Sequence, residues 1–159
     1  MRKTLMAVLA AAAAATLGLA TPAAAHDPVP TKLRNIPTGK CLAAVPANGK
    51  ISLRQDDCGA PHTDWQFQRL TGRAHMIKSP SLNKCLDGNQ AGGIYLSDCL
   101  TYDVGQVYRM TCGDHGAIVN YRWETLLTGW TGGSVSFAEA DDTNRKQHWA
   151  YTQTDGCGG

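Results

Sequence analysis

A segment of about 40 residues, repeated three times, constrains the fold of this chain more than any other feature. Its middle copy reads KCLDGNQAGGIYLSDCLTYDVGQVYRM over residues 84–110. Four kinds of position recur, namely a first cysteine, an apolar pair two residues apart, a second cysteine and a large aromatic residue. The first copy has Cys41, Ile51 and Leu53, Cys58 and Trp65 at these positions. The second copy has Cys85, Ile94 and Leu96, Cys99 and Tyr108. The third copy has Leu126, Val135 and Phe137, Ala140 and Trp149.

The spacing between equivalent positions is nearly constant. It is 44 and 41 residues for the first cysteine position, and 43 and 41 residues for both the apolar pair and the aromatic residue. A constant period over three copies identifies an internal repeat. A unit of this size cannot bury its own apolar face, whereas three units can share one core and leave no free sheet edge. We therefore expect three structural units, at about 33–70, 74–111 and 117–153, in a closed threefold barrel.

Each copy has the pattern of short strands joined by turns. In the middle copy, Ile94 and Leu96 point to one face of a strand and Tyr95 to the other, after a turn at Gly92 and Gly93. Equivalent turn residues precede the apolar pairs of the other two copies. No window has a helical period, so we expect an all-β fold in which helices are limited to single turns.

The first 25 residues have the pattern of a secretory signal peptide. Arg2 and Lys3 precede an apolar run at 5–20, and small residues follow up to Ala25, just before His26. The run is too short and too rich in alanine to hold a bilayer firmly, and no second such run follows. We therefore expect cleavage near Ala25, secretion of a single domain over 26–159, and no membrane segment in the mature form.

The charge of the mature chain argues against two classes of partner. The whole sequence has 15 Lys and Arg residues against 13 Asp and Glu residues, and loss of Arg2 and Lys3 makes these numbers equal. A neutral chain with scattered charges lacks the overall basic character that favours nucleic acids or anionic membranes. We therefore expect neither as a partner.

All six cysteines lie in the exported part of the chain, which favours disulfides over thiol or metal chemistry. Many pairings are formally open, and the repeat selects among them because the two cysteines of the first copy and the two cysteines of the second copy occupy equivalent positions, which favours one bond within each copy. The two remaining cysteines then pair with each other. The expected bonds are Cys41–Cys58, Cys85–Cys99 and Cys112–Cys157.

The succession C-L-D, V/I-x-L, D-C and Q-x-W resembles the ricin B-type lectin domain, a β-trefoil in which three such repeats surround a common axis. The resemblance covers about residues 33–152. Its Q-x-W element is complete at Trp149, ends in Tyr108 in the middle copy, and keeps only Trp65 in the first copy. The resemblance implies that these three aromatic residues fill the common core, and we assign them no functional role.

In this family, function lies in a shallow pocket that each repeat keeps or loses. The resemblance implies that the carboxylate after Cys-Leu accepts hydrogen bonds from sugar hydroxyls and that an aromatic residue two positions before the second cysteine stacks on the ring. An Asn before the Gln of Q-x-W completes the pocket. The middle copy alone keeps the acid, as Asp87, together with Gln106, but Ser97 replaces the aromatic residue and Gly105 replaces the Asn.

The middle pocket therefore needs another stacking surface, which Tyr95 or Tyr102 has to supply. A second interpretation of Asp87 also follows from its position, because it precedes Gly88 and Asn89, where Asp commonly caps a turn. We keep both interpretations of Asp87 open at this point.

We predict a secreted carbohydrate-binding module in which Asp87 and Gln106 hold a galactose-like sugar weakly. The alternative is a β-trefoil with decayed pockets whose loops bind a protein, as an inhibitor, a toxin accessory or a complex subunit. The sequence has no nucleophile, zinc or phosphate-loop motif, so we expect no enzyme activity, no cofactor and no metal site. A copper-chelating amino terminus at His26 is a minor alternative that lacks an identifiable histidine partner.

Overall fold

The computed structural model describes residues 29–111 and 116–151, and strands dominate both ranges. The strands up to the end of the first copy are β1 Thr31–Lys32, β2 Arg34–Asn35, β3 Cys41–Ala47, β4 Lys50–Asp56 and β5 Asp64–Arg69. The second copy has β6 Ala74–Ser79, β7 Lys84–Gly88, β8 Ile94–Ser97 and β9 Tyr108–Met110, and the third has β10 Ile118–Asn120, β11 Leu126–Gly129, β12 Val135–Ala138 and β13 Trp149–Ala150. The helices of these ranges are single 3₁₀ turns at Val104–Gln106 and Arg145–Gln147, and none is long and apolar enough to span a membrane. The predicted all-β fold is confirmed.

Each copy supplies four strands, and the copies join end to end in a ring. The last strand of one copy pairs antiparallel with the first strand of the next, as β5 with β6, β9 with β10, and β13 with β2. The two middle strands of each copy form a hairpin, as β3–β4, β7–β8 and β11–β12. Because β13 pairs with β2, the third copy is joined to the first, and the copies enclose one core.

Strand pairing corrects the alignment of the first copy by two residues. In each copy, the residue three positions after the first cysteine position pairs with a residue of the next strand. This partner is Leu53 in the first copy, Ile94 in the second and Val135 in the third. The apolar pair at Ile51 and Leu53 is therefore not equivalent to the pairs of the other copies. The equivalent residues are Leu53 and Gln55, so one inward position of the first copy is polar.

The cause of the shift is a longer first hairpin. Strands β3 and β4 have seven residues each and meet at Asn48 and Gly49. Both turn residues have positive φ angles, 51° and 73°, as a tight two-residue hairpin turn requires. A pattern of alternating apolar residues does not reveal the shift, because moving the register by two residues keeps the same face inward.

The three aromatic residues of the repeat meet in the core, as predicted. Trp65, Tyr108 and Trp149 are each 0% exposed. The indole N–H of Trp65 donates to the carbonyl oxygen of Leu42 at 2.9 Å, and that of Trp149 donates to the carbonyl oxygen of Leu127 at 2.8 Å. Each indole N–H therefore has a hydrogen-bond partner on the first hairpin strand of its own copy, while the ring fills the core.

Both disulfides predicted within copies are present. They are Cys41–Cys58 and Cys85–Cys99, with Cα atoms 4.9 and 5.0 Å apart. The third predicted bond, Cys112–Cys157, lies outside the described residues. In the chain-entropy model each closed loop of this length contributes about 3 kcal/mol to stability.

Candidate functional site

Asp87 lies in strand β7, directly across from Tyr95 of β8. It is buried, with 3% of the residue exposed. The turn that follows is capped by Asn89, whose Oδ1 accepts hydrogen bonds from the backbone N–H groups of Ala91 and Gly93, both at 3.0 Å. The interpretation of Asp87 as a turn residue is therefore wrong, because Asn89 has that role.

One oxygen of the Asp87 carboxylate is held by two side chains of the middle copy. The Ser97 hydroxyl donates to Oδ2 at 2.5 Å, and Gln106 Nε2 donates to Ser97 Oγ at 2.6 Å. Gln106 Nε2 also donates to Oδ2 itself at 3.4 Å. A charge-assisted hydrogen bond with a further donor behind it fixes the carboxylate in one orientation. Ser97, which the sequence suggests only as a lost stacking residue, is therefore part of the support of Asp87.

The other oxygen, Asp87 Oδ1, is buried and has no hydrogen-bond partner among the described residues. The backbone of Gly105 closes over it, since a Cβ at that position would lie 2.2 Å from Oδ1 and 2.5 Å from the Gly88 carbonyl oxygen. Glycine is thus required here, and the Asn of the family pattern does not fit. A buried acceptor without a donor costs about 1–3 kcal/mol, and more when it is charged. An incoming hydroxyl donor would remove that cost.

Gln106 is 0% exposed, and its amide is already used within the protein. Its Oε1 accepts the backbone N–H of Leu100 at 2.9 Å, and its Nε2 donates to the carbonyl oxygen of Asp98 at 2.7 Å. Gln147 makes the same two kinds of contact with its own loop, at 3.0 and 2.7 Å. The glutamine therefore closes a loop in both copies. Gln106 positions Asp87 and has no exposed surface for the direct sugar contact that the resemblance implies.

Of the two tyrosines expected to stack on a sugar, Tyr95 lies beside the carboxylate. Tyr95 is 40% exposed, and burial, followed by the negative charge of Asp87, raises the pKa of its hydroxyl. Tyr102 follows β8 in a turn and is 79% exposed, and no hydrogen bond joins it to Asp87 within the described ranges. The structure therefore places Tyr95 opposite Asp87, whereas Tyr102 lies in an exposed turn.

The other two copies lack a carboxylate at the position of Asp87. The first copy has Ala43 there and the third has Thr128, and both are 0% exposed. Asp56 of the first copy faces outward in the same hairpin and is paired with Arg54, with Nη2 2.8 Å from Oδ2. The hydrogen bond from Arg54 lowers the pKa of Asp56. The middle copy therefore remains the candidate site.

A groove of about 740 Å³ between the first and third copies was not predicted from the sequence. Trp130 lines it from the β11–β12 turn, and the Arg54–Asp56 pair lines it from β4. The indole N–H of Trp130 donates to Ser136 Oγ at 2.9 Å, and the Lys146 ammonium lies 5.2 Å from the centre of its ring. The sequence feature that could indicate this groove is Trp130, a tryptophan in a hairpin turn that does not occupy one of the periodic positions of the core aromatic residues.

The histidines do not form a metal site in the part of the chain that the structure describes. No group of three or more His, Cys, Asp or Glu side chains there is placed to hold a metal ion. His75 is buried, with Nδ1 3.1 Å from the carbonyl oxygen of Arg73, and burial lowers its pKa. His26, the residue considered for copper, lies outside the described ranges.

Comparison with protein families gives one match. Residues 21–111 match the family model described as the cytolethal distending toxin A/C domain, and this segment includes the first two copies of the repeat. No curated protein gives a significant sequence match.

Solved structures share the fold at low sequence identity. Cry35Ab1 is 17% identical with a TM-score of 0.69, over 77% of this chain and 35% of that chain. ThreeFoil, a designed threefold symmetric protein, is 16% identical with a TM-score of 0.68, over 78% of this chain and 98% of that chain. A Polyporus squamosus lectin, solved bound to a human-type influenza-binding epitope, is 14% identical with a TM-score of 0.67, over 79% of this chain and 49% of that chain.

These likenesses establish the fold. The chain is a β-trefoil of ricin B lectin type, as the sequence resemblance implies. It spans about a third of the Cry35Ab1 chain and about half of the Polyporus lectin chain. At sequence identities below one fifth, structural similarity shows a shared fold and does not show which ligand is bound.

Proposed function

The chain belongs to the cytolethal distending toxin A/C domain family, and we propose that it is a secreted, non-enzymatic module that binds a galactose-like sugar through its middle repeat. Asp87 is the anchor and Tyr95 the stacking surface. Ser97 and Gln106 hold the carboxylate in place. The proposal includes removal of the first 25 residues, which mass spectrometry of the secreted protein checks.

The unpartnered Oδ1 of Asp87 carries this proposal. It is a carboxylate oxygen, buried, and fixed in place through the bonds made by Oδ2. A sugar hydroxyl supplies the missing donor, and a bond to an ionised acceptor is stronger than one between neutral groups. Tyr95 lies next to the carboxylate and offers an aromatic face to the C–H side of a pyranose ring.

Access to Oδ1 determines the strength of binding. Asp87 is only 3% exposed and the Gly105 backbone lies over Oδ1, so a hydroxyl reaches this oxygen only when neighbouring groups move aside. That rearrangement, together with the absent Asn, makes the site weak. We expect a dissociation constant in the millimolar range, which corresponds to about 4 kcal/mol.

A second function is favoured by the family and by the sizes of the neighbours. The family name refers to a toxin, and the chain spans only 35% of the Cry35Ab1 chain, so a β-trefoil of this size is also found as one part of a larger protein. In this alternative the domain is a toxin accessory or complex subunit whose loops bind a protein. Sugar binding by Asp87 is then absent.

The test is a glycan array, followed by titration with galactose observed by NMR, of the wild type, Asp87→Asn and Asp142→Asn. Asp142 is exposed and is the matched control for the loss of one carboxylate. We expect galactose-dependent shifts near Tyr95 in the wild type and in the control, and their loss in Asp87→Asn with the fold retained. A wild type without galactose-dependent shifts in the NMR titration would rule out the lectin function and leave the protein-binding alternative.

A further inference from the structure

A second candidate surface lies where the second and third copies meet. Arg109 occupies the exposed middle position of β9, and it pairs with Ala74, the residue after Arg73. On the other side of β9, the backbone N–H of Tyr121 donates to the carbonyl oxygen of Val107 at 2.9 Å. These pairings bring residues from three separate segments onto one outer face.

Two adjoining concavities form this face, with volumes of about 470 and 270 Å³. Both are lined by Val107 and Tyr121. Arg73 and Arg109 line the larger concavity, and Arg122 lines the smaller one. Neither lining includes an acidic residue. We call Arg73, Arg109, Tyr121 and Arg122 the Tyr121 site.

The arginines of the Tyr121 site have no acidic partner within the described ranges. Three cations elsewhere do have one, in the pairs Lys32–Asp64, Arg54–Asp56 and Lys84–Asp98. In residues 29–111 and 116–151, no side-chain hydrogen bond or ion pair is made by Arg73, Arg109 or Arg122. Like charges gathered in a concavity without counter-charges produce a positive potential that attracts anions.

The aromatic residue at the centre of the site is exposed. Tyr121 is 59% exposed, and Val104, which lines the smaller concavity beside it, is 50% exposed. An anion alone needs the guanidinium groups and no apolar surface. An exposed ring between guanidinium groups suits a ligand that has both an acidic group and an apolar face.

We propose that the Tyr121 site binds an anionic sugar, a pyranose that carries a carboxylate or a sulfate group. The guanidinium groups of Arg73 and Arg109 donate paired hydrogen bonds to the acidic group, in the planar geometry that arginine favours. The ring of Tyr121 stacks on the C–H face of the pyranose. Arg122 binds the acidic group of a neighbouring sugar unit. This site is independent of Asp87, which binds a neutral sugar in the proposed function.

Isothermal titration with defined oligosaccharides tests the proposal. The probes are a sulfated heparin tetrasaccharide and an unsulfated oligogalacturonate, which separate the two acidic groups, with inorganic sulfate and a short DNA duplex for comparison. The site variants are Arg73→Gln/Arg109→Gln and Tyr121→Ala. The control, Arg34→Gln/Arg145→Gln, removes the same charge from exposed positions elsewhere.

We expect at least one of the two oligosaccharides to bind, with affinity reduced about tenfold or more in each site variant and unchanged in the control. Salt should weaken binding, because exposed charges are screened. An equal loss in the control, an unchanged affinity of Tyr121→Ala, or equally tight binding of the duplex would overturn the proposal. Asp87→Asn should leave this binding intact, so failure at either site is distinguished from failure at the other.

Discussion

Replacing the buried glutamines of the repeat tests the role that the structure gives them. Gln147 and Gln106 each accept one backbone N–H and donate to one backbone carbonyl in the loop of their own copy. Methionine has similar length and flexibility but cannot make these bonds. In Gln147→Met the N–H of Asp141 and the carbonyl of Glu139 lose their partners.

The size of the effect follows from those two bonds. A buried backbone group left without a partner costs about 1–3 kcal/mol. Asp141 and Glu139 are exposed residues, so water can partly replace the amide, and the lower end of the range applies. We therefore expect Gln147→Met to lower the free energy of unfolding by about 2 kcal/mol, a large fraction of a typical 5–15 kcal/mol. Gln106→Met should cost somewhat more, because it also removes the donor to Ser97.

Urea unfolding at neutral pH, with the disulfides intact and tryptophan fluorescence as the signal, measures both variants. Galactose binding separates them, since Gln106 supports Asp87 and Gln147 does not. We expect weaker galactose binding only in Gln106→Met. The reasoning is refuted when Gln147→Met loses less than about 0.5 kcal/mol, a change typical of an ordinary surface position, or when both variants weaken galactose binding equally.

Two further changes test other parts of the structure. Burial lowers the pKa of His75 from 6.5. On acidification from about pH 7.5 to about pH 5.5, the unfolded chain therefore takes up a proton that the folded chain does not, and the free energy of unfolding falls. The variant His75→Gln should flatten this part of the plot of urea midpoint against pH, and an unchanged slope contradicts the assignment. Gly49→Ala should cost about 1–2 kcal/mol for its positive φ alone, because its Cβ would meet nothing within 4 Å. Gly92→Ala should cost clearly more by the same measurement, since its Cβ would lie 2.5 Å from the carbonyl oxygen of Phe137, and equal costs would contradict the close packing.

Part of the candidate site could be predicted from sequence. The sequence indicates Asp87, because it alone keeps the acid of the C-L-D element. The sequence does not indicate the hydrogen bond from Ser97, because the pattern marks that position only as a missing aromatic residue. The sequence indicates Gln106 as a sugar contact, but its amide is buried and hydrogen-bonded within the loop, and both features depend on how the loop folds back over the side chain.

The sequence by itself determined the period, the strand pattern, the aromatic core and the pairing of cysteines within copies. These features are local or are repeated at a fixed interval, so the chain carries them as a readable pattern. Tertiary structure alone decided the register of the first hairpin, the unpartnered oxygen of Asp87, and the meeting of Arg73, Arg109 and Tyr121. The physical reason is that each of these depends on contacts between segments far apart in the sequence, and ring closure fixes which segments meet.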